Sequence, residues 1–506
     1  MKRILFVYMM LITHAYGQGM NSVWLLGNQW NPTVPKARMF FDFTSYQLNQ
    51  ELRKMPFDGT QATLSDHNGN FLMSSNGVWI ANALNDTMMN GAGLNPGYYV
   101  NSWPNGLLIP YGNIFLPYPG DSNKYVLFHQ TRLNQNSSLH GIYQSIIDIT
   151  LDGGLGAVIQ KNDTLVMDSL SWGIAACKHA NGRDWWIVFM QESNSDSAYK
   201  MLLTPSGIEK IELQSLGYTP YPYENVAQIT FTRDGEKFIY STYDNPTNKN
   251  SYIVLSDFDR CTGEFSNTQT LWIGSGSYLY GLAFSPSGKY AYTCTSNSVY
   301  QIDTDNLSVQ TVANYDGFIS GLPPNCCPTS FFNMYLAANG KIYITSGSSV
   351  QHIHEMNYPD SAGTACDVQQ HNINLGIWNF RSVPNHPNYY LGPVTGSVCD
   401  TLNLGISENS SHDFRFSLSP NPNNGNFQIM YLLPQNRSGV FEVYDINGRK
   451  VYSQNLPPWS TLQHISLPSH TRSPEGHSAL VSSGIYSCII RSGGEIAVKK
   501  MVVINE

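Results

Sequence analysis

The sequence predicts an all-β chain, a large ring of repeated four-stranded sheets followed by a small β-sandwich. Three observations predict it. Glycine (42), proline (27) and tyrosine (31) are abundant in the 506 residues, a composition that suits strands and tight turns better than helices. An apolar alternating run, a polar glycine-containing turn and a second apolar run recur along the body at a nearly fixed spacing. After a polar stretch near residue 400, short alternating strands resume and continue to the C-terminus, while no amphipathic stretch longer than about ten residues supports a helix.

Composition also bounds function. Charged residues make up only 13% and apolar residues 42%, with a mean hydropathy of −0.25. The polarity comes from uncharged Asn, Ser, Thr, Gln and Tyr, which excludes a disordered solvating chain and a multi-span membrane protein. With a net charge of −8 there is no surplus of Lys and Arg to line a nucleic acid or an anionic membrane. The length allows two to four ordinary domains, or one repeat array with an appendage.

At the N-terminus, Lys2 and Arg3 precede an unbroken apolar run from Ile4 to Ile12, and Ala15-Tyr16-Gly17 supplies small residues after it. This pattern reads as a secretory signal cleaved between Gly17 and Gln18. The run is too short to cross a hydrocarbon core of about 30 Å. The first cysteine is Cys177, so no lipid-anchoring cysteine follows the signal, and no later stretch suggests a transmembrane helix. The mature protein is expected to be exported and soluble, or attached by something other than a helix. Export places all eight cysteines in an oxidising compartment. Cys488 stands alone near the C-terminus, and the other seven cannot all pair among themselves. Cys366 with Cys399 is the expected disulfide, closing a loop that contributes about 3–4 kcal/mol. Cys488, in the apolar run from Tyr486 to Ile490, is expected to be free and buried.

Along the body the turns are marked by Gly69, Ser122, Gly182, Gly235, Gly288 and Gly340, spaced by 53, 60, 53, 53 and 52 residues. Gly and Asn accept positive φ and so favour tight hairpins. A hairpin every fifty-odd residues, with two further strands between, is the period of a propeller blade; a series of separate sandwiches would not hold so constant a spacing. Six hairpins are visible. A seventh blade is expected to be composite, from residues 22–27 and 39–43 at one end and 375–380 and 389–391 at the other, which closes the ring and removes open sheet edges. A six-bladed ring is the alternative. The turns Phe284-Ser285-Pro286-Ser287-Gly288-Lys289 and Ala337-Ala338-Asn339-Gly340-Lys341-Ile342-Tyr343 resemble those of the WD-repeat-like propellers of secreted bacterial proteins, over residues 22–398. That resemblance implies a fold and leaves the function open.

Residues 400–413 are polar and Ser/Asn-rich, the composition of a linker. Strands are expected after it at 414–418, 426–431, 439–445, 449–453, 484–491 and 497–504, enough for a small immunoglobulin-like sandwich. Ser419-Pro420-Asn421-Pro422-Asn423-Asn424-Gly425, the hairpin from Val443 through Tyr444 and Gly448 to Val451, Ser483-Gly484-Ile485-Tyr486, and Lys499-Lys500-Met501-Val502-Val503 occur in that order. Together they resemble the C-terminal sorting domain of type IX secretion. The resemblance implies export across the outer membrane by the type IX machinery, followed by removal of the tail and release or surface attachment of the body. One departure is the stretch 470–478, longer and more polar than the family shows before its Gly-Ile-Tyr motif. Pro420 and Pro422 stiffen the entry strand, Gly425 and Gly448 permit the turns, and the terminal strand is the expected docking edge. The plan is therefore a signal peptide at 1–17, a propeller at 18–399, a linker at 400–413 and a sorting domain at 414–506.

The body offers weak chemistry. His354-Glu355-Met356-Asn357-Tyr358 begins like a zinc-protease helix but has Tyr358 where the second His belongs. His352 and His354 share one face of a strand, and with Cys366, His371 or His386 they form a possible ligand set, although polar residues at a strand end are the simpler reading. The Gly-rich stretch at Asp152 lacks a following helix to present donors to phosphate. Asp257 with Asp259, and Asp303 with Asp305, lack the further oxygens of a calcium loop. No sequence feature brings two carboxylates to the separation of about 5–10 Å that a glycosidase uses. Trp103, Trp172, Trp185, Trp186, Trp272 and Trp378 are either inter-blade core or sugar-stacking platforms. The expectation is a non-catalytic binding or adhesion module without metal or cofactor, its glycan or protein ligand at the central channel or on the loops of one face. A propeller glycosidase or polysaccharide lyase is the alternative.

Overall fold

The computed structural model describes residues 19–504, apart from 43, 135–138, 193–195, 219–227, 244–249, 321–325, 382, 401–414, 420, 422, 434–437, 447, 458–460, 467–482 and 494. The expected signal with Gly17 and Gln18, most of the linker, Pro420 and Pro422 therefore lie outside the described residues. Contacts divide the chain into two compact units. One comprises the residues up to His179 with Asp184–Tyr389, the other Ala180–Arg183 with Tyr390–Glu506.

The first unit is built of strands, with one short helix, Tyr98–Ser102, and two single 3₁₀ turns among its described residues. Sheet A has three strands, Val23–Leu26, Lys36–Phe41 and Tyr46–Glu51. An eight-stranded sheet follows, composed of two four-stranded antiparallel meanders, B (62–92) and C (113–169). The two meet at their outer strands, where the register records a single parallel pair, Ala157 with Met89. Four more four-stranded antiparallel meanders occupy 175–215 (D), 230–274 (E), 282–314 (F) and 334–380 (G).

The marker glycines lie between the first and second strands of their sheets. Gly69, Gly182, Gly235, Gly288 and Gly340 have φ between 75° and 83°, where a side chain on Cβ costs energy and glycine does not. In sheet C that role passes from Ser122 to Gly120, at φ 76°. Burial follows the pattern of side chains. Trp185–Met190 is buried at all six positions, as a continuous apolar run covered on both faces must be. Gly207–Ser215, at the edge of the same sheet, alternates between exposed and half-buried positions.

The expected composite sheet does not form. All three strands of sheet A come from the N-terminal segment, residues 375–380 belong to Val368–Phe380 in sheet G, and 389–391 form no strand. Lys36–Phe41 finds its second partner a few residues downstream, and that short closure costs far less chain entropy than recruiting a strand from the far end of the unit. The ends join instead through a shared core and hydrogen bonds outside any strand ladder. Trp24, Met39 and Phe41 share a buried cluster with Tyr343, Ile353 and Ile377. The Asn28 N–H donates to the Trp378 carbonyl at 3.0 Å, and the Gly27 N–H donates to Asn379 Oδ1 at 2.9 Å.

In the second unit, Arg415–Ser419, Asn426–Leu432 and Thr461–Ser466 form one sheet. Lys450–Leu456, Gly439–Tyr444, Gly484–Ser492 and Glu495–Val503 form a second, in that order. Phe416, Phe427, Tyr431, Phe441, Cys488 and Met501 from the two sheets are buried in one cluster. Thr461–Ser466 is an unforeseen strand: its apolar residues, Leu462 and Ile465, are three apart, so period-two alternation is broken.

The expected Cys366–Cys399 disulfide is also corrected. Cys366 is a free thiol, fully buried in a cluster with Tyr292, Cys294 and Met356, where it packs as a small apolar group. Cys399 is disulfide-bonded, as is Cys261, and the neighbours Cys326 and Cys327 are bonded to each other. Cys488 is free and buried, as its apolar surroundings suggested.

Candidate functional site

In the first unit, the first strands of successive sheets lie side by side: Val23–Leu26 on Ala62–Ser65, Ala62–Ser65 on Asn113–Pro117, Ala175–Lys178 on Thr230–Phe231, and on through Leu282–Phe284 to Met334–Leu336. Residues 383–389 run between these strands. The Asn385 Nδ2 donates to the carbonyls of Tyr111 (3.2 Å) and Ile174 (2.7 Å), and its backbone N–H donates to Gln61. His386 Nε2 lies 2.5 Å from the Thr63 carbonyl, whose acceptance makes that nitrogen the protonated one. The Asn388 Nδ2 reaches the Arg233 carbonyl at 2.6 Å, the Tyr389 hydroxyl donates to Phe115 at 2.8 Å, and the Tyr335 hydroxyl donates to the His386 carbonyl. One short segment thus ties together sheets B, C, D, E and G. Burial holds His386 down to about 4 and pushes Tyr389 well above its ordinary range. These are neutral structural groups. The polar side chains of 383–389 are spent on strand-end carbonyls.

The sequence reads Val383-Pro384-Asn385-His386-Pro387-Asn388-Tyr389, with no alternation, so it passes for an ordinary loop. Its available signal is the density of amide and imidazole side chains between two prolines, groups that satisfy strand-end carbonyls when buried.

The other candidates are structural. His354 Nδ1 accepts from the His371 N–H at 3.1 Å, His371 Nε2 faces Asp316 Oδ2 at 3.0 Å, and the Phe318 ring stacks on His371 with centroids 3.9 Å apart. Among the described residues, no group of three or more His, Cys, Asp or Glu side chains is placed to hold a metal ion. Asp257 pairs with Lys237 and Asn267, Asp259 caps the Cys261 N–H, and Asp303 caps the N–H groups of Asp305 and Asn306. Asp152 sits in a 3₁₀ turn. Burial raises Asp58 to about 6. The tryptophans divide. Trp185 and Trp186 are core, their indoles donating to Pro117 and Arg260 carbonyls, whereas Trp103 (42%), Trp272 (56%) and Trp30 (69%), which the sequence reading passed over, are open to solvent.

In the tail, Asn421 binds the last strand as a peptide unit would. Its Nδ2 donates to the Lys500 carbonyl at 2.9 Å and its Oδ1 accepts the Val502 N–H at 2.8 Å. Asn423 continues the contact, its N–H donating to Val502 at 3.0 Å and its carbonyl accepting from Ile504 at 2.8 Å. The Gly425 N–H returns to Asn423 Oδ1 at 2.8 Å, with Gly425 at φ 93°. Half of the outer edge of Glu495–Val503, expected to be open, is covered this way. Gly448 turns the hairpin at φ 76°, the Tyr444 hydroxyl donates to Glu442 at 3.0 Å, Gly484 pairs with Val503, Tyr486 enters the core, and the Lys500 side chain is exposed. No helix among the described residues is long and apolar enough to cross a membrane.

Residues 417–504 match the secretion system C-terminal sorting domain. The tail is accordingly a type IX sorting domain, which marks the chain for export to the cell surface or the extracellular space. No curated protein matches the chain in sequence. Solved structures overlap it only loosely. A functionally unknown protein from Desulfotomaculum acetoxidans is 13% identical, with a TM-score of 0.38 over 72% of this chain and 99% of its own. A 6-phosphogluconolactonase candidate from Bacteroides uniformis is 11% identical, with a TM-score of 0.36 over 88% and 99%. A second such candidate, from Bacteroides fragilis, is 14% identical, with a TM-score of 0.31 over 75% and 96%. Overlaps of this quality assign no activity.

Proposed function

We propose that this chain is an exported binding module, a seven-bladed propeller carried to the cell surface by its sorting tail. In this reading sheets A to G are the blades, the signal at 1–17 is cleaved before Gln18, the body covers 18–399 and the sorting sandwich covers 414–506. The sorting motif comprises Pro420, Asn421, Pro422, Gly425, Tyr444, Gly448, Gly484, Tyr486 and Lys500, and the partner it meets is the type IX machinery. The body binds a surface glycan or protein through loops at one end of the ring and does no chemistry. The observation that carries the export reading is the sorting-domain match at 417–504. Segment 383–389, bonded to the first strands of several sheets, supports placing the ligand on the loops, and solvent-exposed tryptophans supply surfaces on which sugar rings stack.

Deleting 414–506 in a bacterium that has type IX secretion should strand the body in the periplasm; unchanged surface display would refute the sorting role. For the body, the full chain is applied to a glycan array and assayed for hydrolysis and elimination products. Binding without turnover is the expected result. The enzyme alternative draws on Asp58, a carboxyl raised to about 6 in the manner of a general acid, and product formation lost in an Asp58→Asn variant would establish it.

A further inference from the structure

We propose that the ring carries a binding site for acidic saccharides, built around Arg381 where the chain leaves sheet G. The inference rests on the glycan-binding reading above and names the sugar class that the site would select. Arg381 is half-buried and sits at φ 59°, a backbone conformation that favours glycine over any side chain. The strain is held by the surroundings. The Arg381 N–H donates to the Ser346 carbonyl at 3.2 Å, and its own carbonyl accepts from Asn333 Nδ2 (2.7 Å) and Thr345 Oγ1 (3.0 Å). The guanidinium carbon is then fixed 4.9 Å from the Phe332 ring centroid and 4.7 Å from that of Phe380.

No carboxylate among the described residues pairs with this guanidinium. Among the described residues only its Nε finds an acceptor, the Gly347 carbonyl at a long 3.4 Å, which leaves the forked outer nitrogens available. A half-buried arginine held between aromatic rings, with its fork unspent, is suited to a planar carboxylate. The neighbours suit the rest of a sugar. Tyr280 lies against Phe332 with centroids 4.5 Å apart, and the Arg381 charge acts on the hydroxyls of both Tyr280 and Tyr99. An uncompensated cation with two tyrosine hydroxyls in its field and aromatic rings beside it matches the chemistry of a uronic acid residue within an oligosaccharide.

The test uses the full chain with tetragalacturonate and its methyl ester, which has the same rings and no charge. Binding is followed by calorimetry. The acid should bind and the ester should bind at least about tenfold more weakly, the usual weight of a charge-assisted hydrogen bond. Arg381→Gln should remove the preference for the acid, and Arg381→Lys should restore part of it. If Arg381→Gln fails to fold, the comparison of acid with ester on the unaltered chain decides the matter. Equal affinity for acid and ester overturns the acidic site and leaves glycan binding standing. Failure to bind either of these, together with failure to bind any sugar on a general array, overturns both.

Discussion

Asn421 occupies a position that few side chains could fill. It must donate to the Lys500 carbonyl and accept from the Val502 N–H at once, and only a carboxamide offers both functions in the plane of a peptide group. Asn421→Ala should destabilise the tail by about 1–2 kcal/mol, the worth of two partly exposed hydrogen bonds. It should also speed hydrogen exchange at the Val502 amide about tenfold, which mass spectrometry of the full chain would read. Asn421→Asp, which keeps the acceptor alone, should fall between; unchanged exchange in the alanine variant would mean that the edge is held by Asn423. The cysteines make a second expectation at this scale. Burial holds the thiols of Cys177, Cys294 and Cys488 up at about 12 and that of Cys366 at about 11, and the thiolate is the reactive form. At pH 8 the native chain should resist alkylation at all four sites and take up four adducts on denaturation, counted by intact mass.

Hairpins that look alike in sequence differ in cost when their glycines are replaced. Gly288 and Gly340 have nearly the same φ, 75° and 78°. A Cβ at Gly288 would meet Thr232 Cγ2 at 3.2 Å, whereas at Gly340 the nearest atom is Pro286 Cγ at 3.9 Å. Gly340→Ala should therefore lose only the conformational term, about 1 kcal/mol, and Gly288→Ala about 2 kcal/mol. Thermal melting of the two variants side by side would test the ranking. The same turns explain what was legible in the sequence. Left-handed backbone leaves a compositional mark, so the hairpins of sheets B to G were readable one by one. Sheet A was not, because the connection from Gly27 to Pro35 is wide and carries no such mark. Thr461–Ser466 lacks alternation, and 383–389 owes its shape to carbonyls from four sheets and a hydroxyl from a fifth. The tail motifs were legible because their Gly and Asn residues act locally. Arg381 was invisible as a site, since Tyr99, Tyr280 and Phe332 approach it only in three dimensions.

At the scale of the first unit, buried polar residues both join the sheets and set the response to acid. Asn385→Ala would leave the buried Ile174 carbonyl without its donor and take one of two donors from the Tyr111 carbonyl, which keeps the Ile174 N–H, and should cost about 1–3 kcal/mol in denaturant unfolding. The imidazoles act through protonation. His129, between Asn95 and Ser145, is held down to about 3 by burial, and His354 and His386 to about 4. Each folded value lies below the unfolded value of about 6.5. Above pH 6.5 neither state binds the proton and these groups leave stability unchanged. Below it the unfolded chain takes up protons that the native core refuses, so stability falls as pH drops, by up to about 1.4 kcal/mol per pH unit for each histidine. Asp58 works in the opposite sense, because its folded value of about 6 lies above the unfolded value; between pH 6 and 4 the native state binds the extra proton and gains. Three losses against one gain leave a net decline of at most about 3 kcal/mol per pH unit in that window. The carboxyls held low, such as Asp42 and Glu442, add their own losses only at still lower pH. Urea midpoints of the full chain should thus be level from pH 8 to 6.5 and decline steeply by pH 5. Asp58→Asn should make the decline steeper and His129→Gln should make it shallower, whereas a midpoint that holds or rises between pH 7 and 5 would show that these imidazoles are open to protonation in the folded chain.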